Sequence, residues 1–247
     1  MFALKENIYT IPINEVFDMD CECALCEFIK NEEIKRIDYS LGASMMEPDE
    51  RIKSNELGYC QRHTQMMYHH GNKLSHALVL ETRLDNLIES IDNLNESLKR
   101  VKPAGLFSKS SKNNISDFKE FRKVSLASDT CVICKRLNEI MEAFVNNLFY
   151  MYKKDDEFKN KFFSSKGFCI SHFNLLAKKA LELLNNDECV TFLKELCKLE
   201  TEHLKRVRDD VNWFTKKFDY RFKDAEWKNS KDAVQRGSLK ISGYIND

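Results

Sequence analysis

One arrangement of cysteines and histidines constrains this chain more than anything else in it. Cys23-Ala24-Leu25-Cys26 is followed by Gly58-Tyr59-Cys60-Gln61-Arg62-His63, with 33 residues between Cys26 and Cys60. Cys131-Val132-Ile133-Cys134 is followed by Gly167-Phe168-Cys169-Ile170-Ser171-His172, with 34 residues between Cys134 and Cys169. Both read C-x2-C, a gap, then G-aromatic-C-x2-H. Two sets in one order, with gaps matched to a residue, indicate a tandem repeat. The flanks agree: Leu80-Glu81-Thr82 is echoed by Leu199-Glu200-Thr201.

The pattern around these motifs is helical. Ile133, Leu137, Ile140, Phe144, Leu148 and Met151 form one apolar face after the second C-x2-C, with Ser128, Asp129 and Thr130 as capping candidates before it. Leu175, Leu176, Leu183 and Leu184 mark another helix after the second C-x2-H. A long stripe closes each repeat: Leu84, Leu87, Ile91, Leu94 and Leu98 in the first, Leu204, Val207, Val211, Phe214 and Phe218 in the second. Spacing of 3-4-3-4 is that of a helix packed lengthwise on other helices, and both stripes are expected in the core. Seven Gly and three Pro in 247 residues are too few for a sandwich or barrel, which needs frequent turns.

The fold expected is therefore all-α: two tandem three-helix repeats, each pinned by three cysteines and one histidine. Repeat one spans residues 1–101, a Pro/Gly/Ser/Lys linker 102–116, repeat two 117–225, and a C-terminal tail 226–247. Zinc takes four ligands in a tetrahedron, and three thiolates with one imidazole form a standard structural set. Sequence order assigns Cys23, Cys26, Cys60 and His63 to one ion and Cys131, Cys134, Cys169 and His172 to the other, for two zinc ions per chain. Cys21 is a possible substitute for Cys23, although Asp129 stands at its counterpart in repeat two. Cys189 and Cys197 fall within apolar helical patterns and read as core. His69, His70 and His76 form a loose cluster that reads as a helix end rather than a third metal site.

Nine cysteines, an odd number, speak against a disulfide framework. Met1 to Asn14 carries no charged start followed by an apolar stretch, so a cytoplasmic protein is expected. No apolar run approaches the roughly 18 residues of a membrane span. Lys+Arg and Asp+Glu are both 39, which disfavours a dedicated nucleic-acid binder. Residues 1–100 carry net −7, leaving +7 for the rest, where Trp213, Phe214, Phe218, Tyr220, Phe222 and Trp227 interleave with Lys216, Lys217, Arg221, Lys223 and Lys228. Such interleaving suits single-stranded nucleic acid, or simply a core with solvated cations. No nucleophile elbow, phosphate loop or metalloprotease motif is present.

Met46-Glu47-Pro48-Asp49-Glu50-Arg51, the two G-aromatic-C-x2-H knuckles and the Ser230-Lys231-Asp232 tail, taken with Ile8-Tyr9-Thr10-Ile11-Pro12, resemble an uncharacterised family of bacterial proteins common in anaerobic Gram-positive bacteria. The resemblance covers nearly the whole chain and implies an outline without an activity. The leading functional expectation is a zinc-stabilised binding or scaffold protein for a small molecule or protein partner. Its site would be the surface between repeats, with Glu47, Asp49, Arg51, Lys231 and Arg236. A thiol- or metal-dependent redox protein using the C-x2-C pairs is the enzyme alternative, and a nucleic-acid-associated zinc protein the third.

Overall fold

The computed structural model describes residues 10–100 and 118–243. Among them are eleven α-helices and no strand, as the scarcity of turn residues predicts. The expected linker 102–116 lies outside the described residues.

The chain forms two compact units, Met1–Asn31 with Ile140–Asp247, and Glu32–Glu139. They do not follow the sequence division at 102–116. The N-terminal stretch belongs with the second C-x2-H, and the division falls inside two long helices, α2 (Ala24–Ser40) and α7 (Val132–Lys154).

The first unit holds the larger apolar core. A short helix α1 (Ile11–Phe17) supplies Ile13, Val16 and Phe17, and the start of α2 supplies Leu25 and Phe28. Phe17 stacks on Phe162 of α8 (Asp156–Phe163), with centroids 5.5 Å apart, and Phe28 stacks on Phe144 of α7 at 3.9 Å. Phe162, Phe168 and Phe192 are fully buried, each worth roughly 1.5–3 kcal/mol of apolar transfer. The α8 start is fixed by Asp155, whose carboxylate accepts from the Glu157 and Phe158 amides. Two further helices carry the repeat's end: α9 (Ile170–Leu183) and α10 (Asn186–Lys216). The latter opens on a capping box between Asn185 and Glu188.

The expected tail is an integral layer. Its helix, which we designate α11 (Ala233–Ser242), packs on α9 and α10, with Ser230, Ala233 and Lys240 buried. Part of the aromatic–basic stretch before it is engaged internally, while Phe218 and Tyr220 are exposed. Trp213 Nε1 donates to the Glu226 carbonyl at 2.9 Å, Lys228 lies over the Trp213 ring, and buried Lys217 donates to the carbonyls of Phe222 and Lys223.

In the second unit, α3 (Pro48–Leu57) and α4 (Gln61–His69) flank the first knuckle. The 27-residue α5 (Lys73–Lys99) follows, its start capped by the Asn72 side chain accepting from the Ser75 amide. It packs on α3, α4 and a short helix α6 (Lys119–Asp129). Here the stripe expectation fails: Leu84, Ile91 and Leu98 are 56%, 51% and 38% exposed, because α3, α4 and α6 leave that face bare. In α10 the stripe holds at buried Val207, while Phe218 lies beyond the helix end and is exposed. The capping expectation at 128–130 also changes. Thr130 ends α6, and its hydroxyl donates to the carbonyls of Leu57 at 2.6 Å and Leu126 at 3.0 Å.

Candidate metal centres

Each half-site lies at a helix start. Cys23 immediately precedes α2 and Cys26 occupies its first turn; Cys131 and Cys134 repeat this at α7. Cys60 and Cys169 are the residues just before α4 and α9, with His63 and His172 three residues on. Residues three apart share a helix face, so each motif aims two donors at one point. The free amides and positive end of the helix dipole favour the thiolate there.

The structure gathers all eight predicted ligands but exchanges their partners. Cys23, Cys26, Cys169 and His172 form one group and Cys60, His63, Cys131 and Cys134 the other, with ligand atoms within 4.8 Å of one another in each. Each C-x2-C of one repeat thus meets the C-x2-H of the other. The quartets assigned by sequence order are not formed. A backbone tie accompanies the exchange: the Val132 amide donates to the Gly58 carbonyl at 3.0 Å, seating the second C-x2-C on the first knuckle.

The spacing within each group fits a tetrahedral ion. His172 Nδ1 is 3.4, 3.4 and 3.3 Å from the sulfurs of Cys23, Cys26 and Cys169, and Cys26 and Cys169 are 3.7 Å apart. His63 Nδ1 is 3.2, 3.2 and 3.4 Å from Cys60, Cys131 and Cys134, and Cys60 and Cys134 are 3.8 Å apart. Four donors at ordinary zinc bond lengths would stand about 3.8 Å apart for two sulfurs and about 3.5 Å for sulfur and nitrogen.

The electrostatics make the same demand. Burial raises the Cys23 thiol well above its ordinary value, reinforced by Cys169 and Cys26, and Cys169 is lowered in turn by hydrogen bonds from those two thiols. In the second group, burial and the neighbouring thiolates push Cys134 up to about 12. Burial also opposes ionisation of Cys131, but the bond from His63 brings it down to about 6. Burial opposes the charge on His63 as well, yet Cys131 and Glu33 together hold it up at about 10. Three sulfurs this close share one anion between them; a divalent cation is what allows all to ionise.

The surroundings of the two groups differ. His63 presents Nε2 to Glu33 Oε1 at 2.9 Å, and Arg62 pairs with the other oxygen at 2.6 Å. Burial works against the Glu33 charge, but His63 and Arg62 hold its carboxyl below the usual range. A carboxylate behind a metal-binding imidazole fixes the ring and strengthens it as a ligand. No sequence signal singles Glu33 out among the acidic residues of α2.

Behind the Cys169 knuckle stands a buried ion cluster. Lys240, 1% exposed, donates to the Lys166 carbonyl at 2.6 Å and lies 3.7 Å from Glu200 and 3.9 Å from Glu22. Glu200 accepts from the Phe168 amide at 2.7 Å. Arg206 binds Glu22 at 2.6 Å, and Arg236 joins Asp210 at 2.9 Å and Asp232 at 3.0 Å. Burial pulls the Lys240 ammonium down against the pull of both glutamates, and pushes Glu200 up.

This packing explains the knuckle glycine. Gly167 has φ +78°, and a Cβ there would stand 2.7 Å from Glu200 Oε2 and 3.2 Å from Lys240 Nζ. Gly167→Ala is expected to cost about 2 kcal/mol or more, because left-handed strain and the clash add. Gly71, at φ +95°, has open space where a Cβ would stand, so the same change there should lose only the strain component. Denaturant midpoints of the two variants measure the difference.

The other candidates resolve as follows. Cys21 belongs to neither group, Cys189 is core, and Cys197 is exposed rather than core because it falls on the outer face of α10. Among the described residues there is no third metal-type group. His70 pairs with Asp38 at 3.0 Å, and His76 is buried. Glu47, Asp49 and Arg51 belong to the second unit, Lys231 and Arg236 to the first. Arg51 donates to Thr82 Oγ1 at 3.1 Å, tying α3 to α5, and Glu47 accepts from the Tyr39 hydroxyl at 2.8 Å. Asp49 and Lys231 are exposed. A cavity of about 460 Å³ borders the second group, lined among others by Arg36, Tyr39, Ser54, Tyr59 and Lys135.

An all-helical chain with two three-cysteine, one-histidine groups able to hold metal ions defines the class. The chain belongs to a family of unknown function, DUF6062, whose family model matches residues 4–247. The resemblance noted in the sequence is thereby borne out. Neither a curated protein nor a solved structure matches the chain. No helix among the described residues is long and apolar enough to cross a membrane.

Proposed function

We propose that this is a cytoplasmic, zinc-stabilised helical binding or scaffold protein. The observation that carries the reading is the spacing of the two four-donor groups, which matches a closed tetrahedral ion at each. Four protein ligands leave no coordination position for water, so the metal's task is structural. Thiolate and imidazole donors in that geometry favour zinc over harder cations. All nine cysteines are free of disulfides, as a reducing compartment requires. The binding face is the cavity beside the Cys60 group, where two tyrosines and a mix of cations and glutamates (Arg36, Lys53, Lys135 and Arg136 with Glu50, Glu56 and Glu139) line a space the size of a small metabolite.

Elemental mass spectrometry of protein purified under reducing conditions tests the metal. Two zinc ions per chain are expected, with thiols that resist mild oxidants until a chelator is added. Iron, or little metal with freely oxidised thiols, would instead establish the redox alternative.

A further inference from the structure

The cavity beside the Cys60 group shares a wall with the candidate metal centre. Tyr59 immediately precedes Cys60, Val132 and Ile133 lie between Cys131 and Cys134, and Lys135 follows Cys134; all four line the cavity. The Val132 amide donates to the Gly58 carbonyl, so the two motifs that form this wall are also tied to each other. An ion held by Cys60, His63, Cys131 and Cys134 fixes the backbone on both sides of that tie, and its loss frees the same backbone. The Cys169 group contributes no residue to the cavity.

Which lining charges are already paired decides what the cavity can take. Lys53 binds Glu50 at 2.7 Å and Arg136 binds Glu139 at 3.0 Å, so these four offset one another. Arg36 and Lys135 remain against a single carboxylate, Glu56. Arg36 has hydrogen-bonding capacity left over. Glu32 stands 4.0 Å from it, beyond hydrogen-bond distance, and is itself held by Lys35 at 2.7 Å. The Arg36 Nε is buried and finds no acceptor. A carboxylate is the planar anion that matches a guanidinium fork. Leu57, Val132 and Ile133 supply an apolar side for the rest of a ligand, and a polyanion would meet the three glutamates. We propose that the cavity takes a small monocarboxylate with an apolar body, held by Arg36, and that it does so only while the Cys60 group holds its metal. This rests on the reading of the cavity as the binding face. Linkage is reciprocal: a ligand that needs the metal also retains it.

Naphthoate and its uncharged amide, naphthamide, serve as probes on the metal-loaded full chain, with binding followed by ligand-observed nuclear magnetic resonance. Naphthoate should bind, and naphthamide about tenfold more weakly or worse, as expected when hydrogen bonds to a charged group are lost. Arg36→Gln should weaken naphthoate by about the same factor and leave the metal content at that of the parent. Against a chromogenic chelator, saturating naphthoate should slow release of one of the two ions severalfold in the parent and of neither in Arg36→Gln. This kinetic readout needs no metal-free protein, so it decides the coupling even if the chain unfolds on losing its metal. Equal binding of the two probes overturns the carboxylate assignment and leaves the cavity as the binding face. Binding of neither overturns both. Bound naphthoate that leaves both release rates unchanged overturns the coupling.

Discussion

Cys23→Ser and Cys169→Ser are each expected to lower bound metal from two ions per chain to one, and the double variant still to hold one. Cys23→Ser combined with Cys60→Ser should hold none. The assignment by sequence order requires the reverse, since it puts Cys23 with Cys60 and Cys169 with Cys131. The effect is large because a structural thiolate–imidazole zinc site contributes on the order of 10–16 kcal/mol of apparent binding energy. Loss of one thiolate removes most of that from its own site and little from the other. Metal counts on the four proteins, with thermal unfolding alongside, decide between the two arrangements.

Loop length does not oppose the exchange. Cys26 and Cys169 are 143 residues apart and Cys60 and Cys134 are 74 apart, against the gaps of 33 and 34 within a repeat. Closure entropy rises by only about 0.6 kcal/mol per doubling of length, so the longer connections cost about 1 kcal/mol each. Packing easily outweighs that. Phe17 and Phe28 bury against Phe162 and Phe144, and the Val132 amide finds the Gly58 carbonyl.

Lys240→Met should destabilise the fold by about 3–5 kcal/mol. The change leaves Glu200 buried without its cation, while Glu22 keeps Arg206 at 2.6 Å, and an uncompensated buried charge costs that much. For a chain of this size the melting temperature should fall by about 10 °C. Adding Glu200→Gln should recover part of the loss, because the amide carbonyl keeps the bond from the Phe168 amide while the charge is gone. Calorimetry on the single and double variants checks both steps. If Lys240→Met melts with the parent, the cluster is not what holds α11 against the knuckle.

Much of the architecture was legible from residues alone. The shortage of glycine and proline, the 3-4 spacings and the paired motifs specified helices and eight metal-type ligands, because these depend on local geometry: residues three apart share a helix face. The glycines at 58 and 167 stand in both motifs, but the positive φ that makes them necessary, +66° and +78°, came only from the structure. The exposure of α5 was not legible, because periodicity reports that a face is apolar, not that another helix covers it. Glu33 and Lys240 carry no motif and acquire their roles only when His63 and the Cys169 knuckle fold against them.

The sequence by itself determined which donors exist and that they come in pairs at helix starts. Which pair meets which was decided by tertiary structure. The half-sites of the two repeats are chemically equivalent, and either pairing completes two tetrahedra at nearly equal chain entropy. The choice therefore fell to long-range packing, where the phenylalanines of the first helices bury with those of the second repeat and carry Cys23 and Cys26 to Cys169 and His172.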